Sequence, residues 1–123
     1  MSERMRRVDE QLREVLAEAV RGLKDPRIGF VTITGVRTSP DLGQAEVYYT
    51  VLEDDEAVRA ATAEGLAHAA AALRRQLARS VRLKRVPDLH FVADPATEHG
   101  QRIEALLREV ADQQPSAAEE DEG

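Results

Sequence analysis

The chain has no cysteine and no tryptophan, and aromatic residues make up 3% of its 123 positions. Without cysteine, disulfides and thiolate metal sites are excluded, which fits a reducing compartment. With only Phe30, Tyr48, Tyr49 and Phe91 as aromatics, a core must be built from Leu, Val, Ile and Ala. No apolar run approaches the ~18 residues that a membrane span needs. The first residues, MSERMRRVDEQLR, are charged and hold no apolar stretch of the signal-peptide kind, so a cytoplasmic location is expected. Glycines 22, 29, 35, 43, 65, 100 and 123 form neither a phosphate loop nor a dinucleotide fingerprint. His68, His90 and His99 stand at no metal-ligand spacing, and Ser2, Ser39, Ser80 and Ser116 lack a nucleophile-elbow context. No catalytic, metal or cofactor residue can be nominated, and the expectation is a protein that is not an enzyme and needs no cofactor.

One stretch lacks acids altogether. Residues 66–85, LAHAAAALRRQLARSVRLKR, place Leu66, Ala70, Leu73, Leu77 and Val81 on one helical stripe. Off that stripe lie Arg74, Arg75, Arg79, Arg82, Lys84 and Arg85, six cations in the twelve positions 74–85. A merely solubilised helix face would pair its bases with acids one turn away. Here none is present, in a chain whose net charge is −6. The contrast sharpens when the end of the chain is set aside. Residues 1–111 hold 18 acids against 17 bases, a net charge of −1, and the acidic excess sits beyond them. A polyanion such as RNA is therefore the expected partner for the six cations. The competing reading is a protein-interaction or oligomerisation module whose basic helix face meets an acidic partner.

The remaining pattern indicates an α+β domain. Met5, Val8, Leu12, Val15, Leu16, Ala19 and Leu23 share a stripe, predicting a helix over residues 3–24 that Asp25-Pro26 stops. Residues 28–37 and 44–52 alternate as strands, joined by the turn cluster Ser39-Pro40-Asp41-Leu42-Gly43, and so form an antiparallel hairpin. Val36 falls out of phase after Gly35, predicting a bulge that turns both Ile33 and Val36 to the core. The acids Glu53, Asp54, Asp55 and Glu56 open a long helical pattern that runs from Glu56 to about Arg79, with a bend expected near its alanine run. Leu89 to Ala93 reads as a third strand, and Ile103, Leu106, Leu107 and Val110 mark a last short helix. The domain is expected to span 1–112, with a disordered acidic tail over 113–123.

Several pieces, in order, resemble the ribosome-binding factor A family. They are Arg7-Val8 with Leu23-Lys24-Asp25-Pro26-Arg27, then Ser39-Pro40-Asp41-Leu42, then Ala45-Glu46-Val47-Tyr48. Leu73-Arg74 with Leu77, the run Leu83 to Phe91, and Asp94 followed by Arg102-Ile103 complete the set, over residues 3–108. The resemblance implies a KH-like domain of the second topological type, in the order α-β-β-α-α-β, with helices on one face of a three-stranded sheet. It implies a role in late maturation of the small ribosomal subunit, contacts with its rRNA, and a part in cold adaptation. No membrane and no small-molecule substrate is expected, and a monomer is. Beside the six cations, Arg4, Arg6, Arg7 and Arg27 are candidate additional RNA contacts; for Arg27 the competing reading is part of a helix stop. The family carries an Ala-x-Gly kink between its helices, and Ala69, Ala70 and Ala71 occupy the matching positions with alanine in place of glycine. Alanine favours continued helix by about 1 kcal/mol over glycine, so a shallower kink is expected.

Overall fold

The structure is a computed structural model that describes residues 2–95. Its elements are α1 (Glu3–Arg21), β1 (Val31–Thr38), β2 (Gln44–Val51), α2 (Glu56–Ser80) and β3 (Asp88–Ala93). The final helix expected around Ile103 to Val110, and the tail expected over 113–123, lie outside the described residues.

Helix α1 starts where the Ser2 hydroxyl accepts the Met5 N–H, leaving Leu12, Leu16, Ala19 and Val20 buried along one stripe. It ends at Arg21, three residues before the expected stop, because Gly22 closes it by donating back to the Ala19 carbonyl. The Asp25-Pro26 turn therefore lies beyond the helix.

Strands β1 and β2 form the expected antiparallel hairpin, and their pairing slips between Ile33 and Gly35. Past the slip Val36 faces Val47, so Val36 packs on the core although it is out of phase with Ile33. In the turn it is Leu42, not a glycine, that takes the left-handed conformation, at φ 61°. Five hydrogen bonds hold that turn: Leu42 N to Ser39 O, Ser39 N to Gln44 O, Gln44 N to Ser39 Oγ, Gly43 N to Asp41 Oδ1 and Ser39 Oγ to Asp41 Oδ1. They offset the steric cost of a left-handed leucine.

Helix α2 begins with Asp55, whose carboxylate accepts from the N–H groups of Ala57 and Val58. It then runs without interruption through Ala69, Ala70 and Ala71 to Ser80. The two helices expected here are one, which corrects the expected α-α order. Three consecutive alanines favour helix strongly enough to carry it across the position where a glycine would weaken it. From α2 the chain crosses to β3, which pairs parallel with β2 and leaves β2 central, with order β1-β2-β3.

Both helices cover one face of the sheet. Ile33, Ala45, Val47, Tyr49, Val51 and Leu89 point into that layer and meet Leu12, Leu16, Leu66, Leu73, Leu77 and Val81. Tyr49 and Phe91 pack edge to face, with ring centroids 6.5 Å apart.

Gly65 is where α2 touches the α1–β1 connection. A Cβ there would stand 2.6 Å from Ile28 Cγ1 and 3.4 Å from Arg27 Cβ. Gly65→Ala should therefore destabilise by about 1–3 kcal/mol, overcoming the helix-propensity gain. Denaturant unfolding measures it, and a stabilised variant would show that the connection yields freely.

Candidate nucleic-acid interface

Three segments bring cations to one end of the domain, the end carrying the turn at residues 39–43. The first is the last turns of α2. Leu73 and Leu77 are buried, so Arg75 and Arg79 are left in solvent. The second is the connection from α2 to β3. Val81 and Pro87 are buried and Leu83 and Val86 half-buried, an apolar spacing that turns Arg82, Lys84 and Arg85 outward. The Asp88 N–H donates to the Gly43 carbonyl at 3.0 Å, which seats this connection beside the hairpin turn.

The third segment is the start of α1. Asp9 is buried, and its Oδ1 accepts the Thr38 N–H at 3.0 Å, so the first turns of the helix lie next to the same turn. Asp9 therefore faces inward, although Arg4, Arg6 and Arg7 precede it on the same helix. Those three arginines are exposed, and Glu3 pairs with Arg6 and, at 3.5 Å, with Arg7. Among the described residues, no ion pair holds Arg4, Arg75, Arg79, Arg82, Lys84 or Arg85.

Arg85 lies across the hairpin turn, its Cζ 3.4 Å from where a Cβ on Gly43 would be. Asp41, below it, has its carboxyl lowered from the ordinary value, chiefly by the Gly43 N–H and the Ser39 hydroxyl, with Arg85 adding its charge. Cations at this end also oppose the partial negative charge of the α2 C-terminus.

Two candidates stand apart from this cluster. Arg74 is half-buried. Its Nη2 donates to the Val86 carbonyl at 2.8 Å and its Nε lies 3.2 Å from Asp88 Oδ1, an ion pair without hydrogen-bond geometry. Arg74 thus ties α2 to the start of β3. Although it lies off the apolar stripe, Arg74 is part of the packing between α2 and β3.

Arg27 sits at the opposite end, where its guanidinium bonds to both Asp25 oxygens and to Glu64 at 3.3 Å. Arg27 holds Asp25 at a pKa of about 2, against an ordinary 3.8, first through its guanidinium and then through its backbone N–H. A carboxylate with a depressed folded-state pKa stabilises above its unfolded value and loses that contribution on protonation. The Asp25 share should be present above about pH 4 and vanish as pH falls toward 2. Acid titrations of wild type and Asp25→Asn check this; identical acid limbs would show that the pair adds nothing.

Tyr48 faces the side of the sheet away from the helices, half-buried, and its hydroxyl donates to Glu46 Oε1 at 2.7 Å. Beside it His90 shares a hydrogen bond with Gln44. Among the described residues no group of His, Asp or Glu could hold a metal ion. No helix there is long and apolar enough to cross a membrane.

Fold and surface together define an α+β, KH-like domain with an arginine-rich end. The sequence model of the ribosome-binding factor A family matches residues 4–107, and the chain belongs to that family. A ribosome-binding factor A of Geobacter sulfurreducens is 50% identical over 111 residues, covering 89% of this chain and 93% of that one. The crystal structure of ribosome-binding factor A from Thermus thermophilus superposes with a TM-score of 0.65 at 32% identity, covering 72% of this chain and 93% of that one. A homology model of Thermus thermophilus ribosome-binding factor A, fitted into the cryo-EM map of a 30S complex of the factor, gives a TM-score of 0.59 at 34% identity, over 71% of this chain and 91% of that one.

Proposed function

We propose that this chain is a non-enzymatic assembly factor that binds the small ribosomal subunit, as a monomer in the cytoplasm, during late maturation. The observation that carries the reading is the convergence of Arg75, Arg79, Arg82, Lys84 and Arg85 with Arg4 at one end, none of them held in an ion pair among the described residues. Such a surface neutralises phosphates, which makes rRNA the component of the subunit it contacts. Arg6 and Arg7 extend it at its edge. Arg74 and Arg27 support it through the fold. Family membership, and the 30S complex into whose map the Thermus thermophilus factor was fitted, support the same reading. Residues 1–112 form the binding unit and 113–123 an acidic tail. The role in cold adaptation belongs to this proposal and is read out by growth at low temperature of cells lacking the protein.

Co-sedimentation with purified small subunits over a salt series tests the reading. Binding should weaken steeply with salt, and free small-subunit rRNA should compete for it. Binding that survives nuclease digestion of the partner would show instead that the basic face meets an acidic protein.

A further inference from the structure

At the end of the sheet away from the cations, Phe30 and Leu52 are 74% and 75% exposed. They are cross-strand neighbours, since the Leu52 N–H donates to the Phe30 carbonyl at 2.9 Å, one step beyond the Val31–Val51 pair. Val31 and Val51 pack toward the helices, so strand alternation sends Phe30 and Leu52 to the face that neither α1 nor α2 covers. Single exposed apolar side chains are ordinary. Here, however, one of only four aromatic residues in the chain is left in water, with a leucine held beside it. An aromatic and an aliphatic side chain on an open surface have the make-up of an interface anchor.

The surroundings say which partner fits. Glu53, Asp54, Asp55 and Glu56 follow Leu52 directly, and all four are exposed. Asp55 caps α2 and Asp54 pairs with Arg59, whereas Glu53 and Glu56 enter no ion pair among the described residues. An exposed phenylalanine could stack on an RNA base, but exposed carboxylates at the same end of the sheet repel the phosphates that would accompany that base. A protein segment offering an apolar side chain flanked by Lys or Arg satisfies both features.

We propose that Phe30 and Leu52 form a second interaction surface, which takes a basic protein segment of the small ribosomal subunit, its cations facing Glu53 and Glu56. The proposal rests on the reading that this chain binds the subunit. The cationic surface and this one lie at opposite ends of one sheet, so RNA and protein can be held at once.

Two probes separate the surfaces: purified small subunits and protein-free small-subunit rRNA. The double variant Phe30→Ser, Leu52→Ser should lose about ten-fold in subunit affinity, equivalent to about 1.4 kcal/mol. Its affinity for the protein-free rRNA, and the salt dependence of that affinity, should match wild type. Should this variant fail to fold, Glu53→Lys, Glu56→Lys keeps the apolar pair and should show the same selective loss of subunit affinity. A benzoyl-phenylalanine photo-crosslinker at position 52 should join a Lys- or Arg-rich segment of a subunit protein. Unchanged subunit affinity, loss of rRNA affinity, or a crosslink to rRNA or to residues 96–123 of the same chain would each overturn the proposal. Wild-type protein that binds no subunit would overturn the functional reading as well; wild type that binds while both variants match it overturns this proposal alone.

Discussion

Leu73→Ala or Leu77→Ala should cost on the order of 2–5 kcal/mol of folding stability, the range for a buried leucine that leaves a cavity. Both side chains are 1% exposed and belong to the core between α2 and the sheet. Whole domains hold only about 5–15 kcal/mol, so either variant removes a large share. The thermal midpoint should fall by at least about 8 °C. Part of the effect bears on function, because these leucines turn Arg75 and Arg79 outward. A cost near zero for both would mean that α2 packs with another face.

The second large effect is on binding. Reversing Arg75, Arg79 and Arg82 together to Glu should leave the fold intact, since all three are exposed and none is in an ion pair among the described residues. If each meets one phosphate, the salt slope should fall by about 2 to 3. Exposed charge contacts contribute at most about 1 kcal/mol each, so the affinity for small subunits should drop by on the order of 10²-fold. Arg74→Glu is the contrasting variant. It would lose the bond to the Val86 carbonyl and set a carboxylate beside Asp88, so its first effect should be on stability. Equal subunit affinity for the triple variant and wild type, measured by co-sedimentation, would remove the cationic end from the interface.

Arg74 and Arg75 mark the limit of what the sequence shows. Both lie off the stripe of Leu66, Leu73, Leu77 and Val81, and the pattern gives them equal standing. The fold separates them, because the connection from α2 to β3 returns past one side of the helix only. Arg27 is a similar case, its guanidinium held by Asp25 nearby and by Glu64, a residue 37 positions away. Asp9 shows the opposite failure. A carboxylate among arginines reads as a surface charge, yet it accepts a backbone N–H 29 positions on, inside the α1–β1 contact.

Local periodicity determined the helices, the hairpin, the bulge after Ile33 and the buried face of α2, because each is a property of neighbours along the chain. Composition set the cationic block apart and excluded thiolate chemistry, and the order of short motifs carried the family. Only the tertiary structure decided that β3 lies parallel to β2. It alone gathered the ends of three segments at one hairpin turn, and it alone left Phe30 and Leu52 exposed at the far end. The reason is physical. A side chain's face follows from its own helix or strand, but its partner is whatever chain closure and packing bring against that face, and those segments are remote in sequence.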